Sequence, residues 1–174
     1  MTGRIHGKRI AFLVEDGFDA ALAVTRDRLL AEGADVVLIG PKAGATLTGS
    51  GGTQVTADRA ATTARIADFD AVVIPGGHAP DRIRMRHAMV DLTREAMTAG
   101  KPVAAIGHGP QVLITASVLR GRTLTCWPSI AVDVMNAGGL YVDRPVVEDG
   151  NLITSRKPGD AALFADALVR SLTQ

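Results

Sequence analysis

Four short apolar runs, each the length of a β-strand, constrain the fold of this chain more than any other feature. They are KRIAFLV, DVVLIG, FDAVVIP and KPVAAIG, at residues 8–14, 35–40, 69–75 and 101–107. Nearly continuous apolar strands indicate a parallel sheet that is buried on both faces. The stretch at residues 15–34 has apolar positions at helical spacing and stops at Gly33, which predicts a covering helix.

The rest of the chain repeats the alternation of strand and helix. Residues 41–68, rich in Gly, Thr and Ala, predict a small β excursion and a short helix. Further helices are predicted at about 80–99, 109–118, 128–137 and 160–172, with short strands around 139–155. No linker or repeat divides the 174 residues. We therefore expect one α/β domain over 1–174, a doubly wound sandwich whose ligands bind at the carboxyl ends of the strands.

Composition excludes several classes of function. The 19 basic residues are scattered and nearly balanced by 18 acidic ones, and aromatic residues make up only 3% of the chain. These values argue against a nucleic-acid interface. The apolar runs are too short to cross a membrane, the first residues resemble no signal peptide, and a lone cysteine, Cys126, forms no internal disulfide. We expect a cytoplasmic protein without a membrane or nucleic-acid partner.

Three predicted strands end in turns that carry reactive side chains. The turns VEDGFD, PGGHAPD and GHGP follow the strands at 8–14, 69–75 and 101–107. Strand ends of a parallel sheet share one edge. This edge would gather the following residues: Glu15, Asp19, His78, Asp81 and His108. The alternative is purely structural, because glycines make tight turns and polar side chains cap helices.

Long segments of the chain resemble the PfpI/ThiJ family. They are IAFLVEDGFD, FDAVVIPGGHAPDRIR, GKPVAAIGHGPQVLI, VLRGRTLTCWPSI and DVMNAGGLYVDRPVVEDGNLITSRKPGD, and together they span about residues 8–172. The family includes intracellular proteases, general-stress proteins, glyoxalase-type enzymes and deglycases, among them the Parkinson-associated deglycase. The resemblance implies a flavodoxin-like three-layer α/β sandwich with a mostly parallel sheet, like that of class I glutamine amidotransferases. It also implies a homo-oligomer, either a dimer or a PfpI-type hexamer.

The chain departs from the family at the nucleophile. Family members carry Ala-Ile-Cys-His-Gly-Pro at a strained strand-to-helix elbow, and their cysteine thiolate is the nucleophile. Here residues 105–110 are AIGHGP, so Gly107 occupies the nucleophile position. Because glycine adopts strained backbone conformations at little cost, we expect the fold to survive the replacement and the thiol chemistry to be lost.

A second departure follows the first strand. The family pattern there resembles Phe-Glu-x-x-Glu, and its last glutamate hydrogen-bonds the cysteine. In this chain Asp19 matches the first acid and Leu22 stands at the second. The resemblance therefore implies that the nucleophile and its acidic partner are both lost. It predicts that Gly107→Cys would restore a reactive thiol only in part, and that adding Leu22→Glu would improve its reactivity.

The remaining family positions are present. His108 matches the histidine beside the nucleophile, and Asp81 matches an acid that PfpI-type members supply across a subunit interface. Gly76, Gly77, Cys126 and Trp127 match positions around the pocket. We expect no cofactor and no metal, because the four histidines lack the spacing of zinc ligands.

Three functional hypotheses remain open at this stage. The first is a catalytically impaired PfpI-like protein with a stress-related role or a small-molecule ligand. The second is an active hydrolase or lyase that uses water activated by His108, or Cys126 as a displaced nucleophile. The third is a cysteine-dependent enzyme in which Gly107 is an engineered replacement.

Overall fold

A seven-stranded sheet forms the centre of the protein in a computed structural model, which describes residues 3–174. Its strands, in spatial order, are β10 (Val146–Asp149), β11 (Leu152–Ser155), β7 (Val103–Ile106), β6 (Ala71–Ile74), β1 (Arg9–Leu13), β2 (Asp35–Gly40) and β5 (Arg59–Ala60). Only β10 runs antiparallel to its neighbour. Two smaller pairs accompany the sheet: β3 (Thr46–Thr48) with β4 (Gln54–Thr56), and β8 (Thr123–Leu124) with β9 (Leu140–Tyr141).

Helices cover the sheet in two groups. They are α1 (Ala21–Ala31), α2 (Ala79–Ile83), α3 (His87–Thr98), α4 (Pro110–Thr115), α5 (Ala131–Asn136) and α6 (Ala161–Thr173). One group consists of α1 packed on α6, and the other joins α4 to α2, α3 and α5. Short 3₁₀ turns occur at Ala61–Thr63, Ile66–Asp68, Pro128–Ile130 and Pro158–Asp160.

The central strands supply most of the core. Every residue of β6, β7 and β11 is buried, and so are the last four of β1. Small and β-branched side chains dominate β6 and β7, and such side chains pack well between two helical layers. The mainly parallel sheet confirms the predicted α/β class, and it brings the ends of β1, β6, β7 and β11 to one edge.

The structure divides one predicted helix and shortens another. The stretch predicted as one helix at about 80–99 is two helices, α2 and α3, because the backbone at Arg86 is extended. The helix predicted within 15–34 begins only at Ala21, because the preceding residues form the turn that carries Asp19. The short helix expected before residue 68 is a pair of 3₁₀ turns. Within residues 3–174, no helix has the length and apolar character that crossing a membrane requires.

Candidate functional site

The turn between β7 and α4 places Gly107 at the sheet edge in a left-handed conformation, with φ of 64°. Its N–H donates to the carbonyl of Ser155 at 3.0 Å, and its carbonyl accepts from the N–H of Trp127 at 2.8 Å. A Cβ at this position would have only ordinary contacts, 3.6 Å from Gly76 Cα and 3.8 Å from the carbonyl oxygen of Arg156. The backbone favours glycine here, yet the surroundings leave room for a side chain.

His108 and Trp127 form a stacked pair beside Gly107. Their ring centroids are 5.7 Å apart and the ring planes differ by 23°. The imidazole Nε2 also lies 3.5 Å from Ser129 Oγ. Burial lowers the pKa of His108 below its usual 6.5, and the nearby His78 lowers it further, while Asp19 opposes both. The ring is therefore mostly neutral near pH 7 and can accept a proton.

Asp19 faces the same place from the turn before α1. Its Oδ1 accepts a hydrogen bond from the N–H of Ala21 at 3.0 Å. Burial raises the pKa of this carboxyl above 3.8, although backbone N–H groups and His108 partly offset the effect. A Cβ at position 76 would lie 2.7 Å from Asp19 Oδ2, so glycine at position 76 lets this acid approach the elbow.

These residues enclose a small pocket of about 190 Å³, which we call the elbow pocket. Its walls are Asp19, Gly77, His78, Gly107, His108, Trp127 and Pro158. Gly77 has φ of 75°, and a Cβ there would lie 2.3 Å from the carbonyl oxygen of Gly17, so this turn requires glycine. The sheet edge thus brings together five of the predicted residues with Gly107 in an apolar, partly enclosed site.

A second, more polar depression adjoins the elbow pocket through His78. Its lining residues are Glu15, His78, Asp81, Arg82, Met85 and Arg86, around about 610 Å³. Glu15 is only 3% exposed, and its carboxylate accepts a hydrogen bond from Arg86 Nε. Asp81 is exposed and forms no hydrogen bond with His108 within residues 3–174. Glu15 and Asp81 therefore share the predicted edge but lie outside the elbow pocket.

Comparison with known proteins places this site in a family. Residues 8–171 match the model of the DJ-1/PfpI family. The chain belongs to the DJ-1/PfpI family.

DJ-1/PfpI relatives resemble the chain over nearly its whole length. A deglycase of Pyrococcus abyssi is 42% identical over 165 residues, which are 94% of this chain and 99% of the relative. General stress protein 18 of Bacillus subtilis is 40% identical over 161 residues, 91% of this chain and 94% of that protein. The crystal structure of Drosophila melanogaster DJ-1beta superposes with a TM-score of 0.89 at 32% identity, covering 96% of this chain and 91% of that one. The resemblance inferred from the sequence is thus confirmed, and these neighbours agree with a flavodoxin-like fold.

The chain's DJ-1/PfpI fold does not bring Cys126 into the elbow pocket. The residue is fully buried and does not line that pocket. Burial, with a smaller contribution from Asp133, raises the pKa of its thiol to about 12. A thiol in this environment stays protonated and shielded from solutes at neutral pH.

Leu22 does not line the elbow pocket either. It is 2% exposed, and it lines a separate cavity of about 180 Å³ with Phe18, Arg26 and the loop at 49–51. Of the predicted site residues, only Asp19 lines that cavity, and it also lines the elbow pocket. The expectation that an acid at position 22 would serve the nucleophile position therefore stays a prediction.

Sequence reasoning missed one wall of the pocket. Pro158 lies at the start of a 3₁₀ turn that follows β11. β11 runs parallel to β7, with Ser155 opposite Ile106, so its carboxyl end shares the functional edge. The turn SRKPGD after the last strand was the available signal. The side chain of the neighbouring Arg156 is bound to Asp160 and Asp143, which makes it a structural residue.

No group of three or more His, Cys, Asp or Glu side chains within residues 3–174 is arranged to hold a metal ion. The elbow pocket therefore offers chemistry through one carboxyl, two imidazoles and an indole. These groups can bind a small solute, orient it and exchange a proton with it.

Proposed function

We propose that this chain is a PfpI-like protein in which the cysteine chemistry of the family is impaired and the elbow pocket is kept for a small-molecule ligand, in a stress-related role. The observation that carries the proposal is Gly107, which the family resemblance assigns to the nucleophile position and whose φ is 64°. Covalent catalysis needs a nucleophilic atom within reach of its activating groups, and glycine supplies none.

The chain's only thiol does not replace the missing one. Cys126 is fully buried, and its thiol pKa of about 12 leaves a negligible thiolate fraction at pH 7. A thiolate is the reactive form in both catalysis and alkylation. Both properties argue against Cys126 as a displaced nucleophile.

The elbow pocket itself supports a binding role. Its walls are mainly apolar, and its polar groups, Asp19, His78 and His108, converge from three different turns. Small-molecule sites commonly have this composition, an apolar cavity with a few directed polar groups. The same groups favour one alternative activity, a hydrolase or lyase in which the neutral His108 activates water.

Methylglyoxal consumption and iodoacetamide labelling, measured side by side, test this proposal. We expect the wild-type protein to show no thiol-dependent turnover and no labelling in the native state. Gly107→Cys should label at least 100-fold faster than any background labelling of the wild type, because the new thiol would line the elbow pocket beside His108.

Three variants separate the outcomes. Wild-type turnover abolished by Cys126→Ser would refute the proposal and identify Cys126 as the nucleophile. Turnover that survives Cys126→Ser but disappears in His108→Ala would favour activated water. A native Gly107→Cys protein that fails to label would show that the elbow pocket is closed to solutes.

We also propose that the chain forms a symmetric homo-oligomer, a dimer or a hexamer. Asp81 is exposed at the sheet edge, and Met85, which lines the same depression, is 78% exposed. Both would be accounted for if this face met a second copy. Sedimentation at micromolar concentration tests the proposal, and a clean monomer of 18.1 kDa would contradict it.

A further inference from the structure

The elbow pocket contains a half-buried carboxylate without a counter-cation. Asp19 forms no salt bridge within residues 3–174, although most other acids of the protein lie in ion pairs or at the surface. No Lys or Arg side chain from that part of the chain lines the pocket. A carboxylate that has lost part of its hydration without gaining a cation interacts strongly with any cation that reaches it.

Glycine at position 107 leaves the space next to this carboxylate free of a side chain. A Cβ on Gly107 would have only ordinary contacts, the nearest at 3.6 Å, and both Gly107 and Asp19 line the elbow pocket. The part of the pocket that a side chain at position 107 would fill is therefore open to a ligand's N–H groups.

An aromatic wall completes the environment. Trp127 is 38% exposed and lines the pocket, where it stacks on His108. The face of an indole attracts cations more strongly than that of any other side chain. His108 does not compete as a cation near neutral pH, because burial and the neighbouring His78 lower its pKa.

We infer that the elbow pocket binds a small organic cation, a primary ammonium with a short apolar body, between the carboxylate of Asp19 and the indole of Trp127. The head group meets the carboxylate of Asp19. The body occupies the rest of the pocket, whose whole volume of about 190 Å³ limits the ligand to a few carbon atoms. This inference rests on the proposed binding function of the same pocket, since it names the chemical class of its ligand.

The test compares two probes that differ only in the head group, butylammonium and 1-butanol. Titrations followed by the backbone amide NMR shifts of residues 76–77 and 107–108 report both binding and its location. We expect butylammonium to bind the wild-type protein at least tenfold more tightly than 1-butanol. Asp19→Asn should abolish this preference, and Trp127→Leu should weaken butylammonium binding several-fold.

Asp27→Asn provides the matched control, because it removes the same charge from an exposed position on α1. It should leave the affinity for butylammonium unchanged. Equal affinity for both probes would overturn the inference and leave an apolar pocket with no preference for cations. Butylammonium binding that Asp19→Asn does not change, or no shift at the elbow with either probe, would also overturn it. None of these results depends on turnover. Cysteine-dependent activity would therefore refute the proposed loss of cysteine chemistry and leave the inferred binding of an organic cation to be decided by these titrations.

Discussion

Position 107, which the family motif aligns with a cysteine, and position 126, which holds the chain's own cysteine, contrast sharply. Gly107 lines the elbow pocket but has no side chain, whereas Cys126 has a thiol that is fully buried. The two segments nevertheless touch, because the N–H of Trp127 donates to the carbonyl of Gly107. Successive side chains of an extended segment point to opposite sides, so Trp127 faces the pocket while Cys126 faces the core. A side chain can therefore lie next to the elbow in space without being accessible from the pocket.

Leu22→Glu, which places a charge at a buried position, should have the largest effect among the variants that test this contrast. Leu22 resembles Cys126 in being buried and differs from Gly107 in lying outside the elbow pocket. We expect Leu22→Glu to destabilise the protein by roughly 3 kcal/mol or more, because it buries an unpaired carboxylate. It should also fail to improve the alkylation of Gly107→Cys. Urea unfolding and labelling of the double variant measure both effects.

Leu22→Met is the control for that change, since it keeps the apolar character and the approximate volume. It should cost less than about 1.5 kcal/mol. If Leu22→Glu instead accelerated labelling of the cysteine at 107, an acid at position 22 would reach the elbow. The placement of Leu22 in a separate cavity would then be wrong.

Substitutions at Cys126 test whether its side chain is buried in the apolar core. Cys126→Ser should cost about 1–3 kcal/mol, because a hydroxyl without a partner replaces a thiol that behaves as a small apolar group. Cys126→Ala lacks the polar atom and should cost less if the core closes around it. Thermal unfolding of the two variants gives the difference. Equal stability of Cys126→Ser and wild type would mean that the residue reaches solvent or a polar partner.

Gly107→Ala tests the position that lines the pocket and should have a modest effect on stability. A Cβ there has room, so the cost is the backbone conformation alone, about 1–2 kcal/mol for a left-handed residue. Gly77→Ala is the matched control, because Gly77 has a similar φ but its Cβ would collide with the carbonyl of Gly17. It should cost clearly more in the same unfolding assay. A Gly107→Ala protein as stable as the wild type would remove the evidence for strain at the elbow.

The sequence was sufficient for the features that depend on periodicity. Strand-length apolar runs located the main strands along the chain, and in a parallel sheet the carboxyl ends of such strands meet at one edge. Asp19, His78 and His108 could therefore be predicted to lie together. The family motif located Gly107 within that edge.

Other features depend on side-chain direction, which periodicity does not determine in short segments. The residues around Cys126 form too short a segment to show which face is buried. Leu22 is three residues from Asp19, yet α1 begins between them and turns Leu22 toward the loop at 49–51. The break between α2 and α3 could not be predicted either, because Arg86 extends its backbone where its side chain binds Glu15, 71 residues away.

The stacking of Trp127 on His108 has a spectroscopic consequence. Trp127 is the chain's only tryptophan, so essentially all of its indole emission arises at the wall of the elbow pocket. A protonated imidazole quenches a neighbouring indole more strongly than a neutral one does. Emission should therefore fall as the solution is acidified, with a midpoint below the usual histidine value of 6.5, because burial lowers the pKa of His108. The native protein therefore carries its own optical probe in the wall of the elbow pocket.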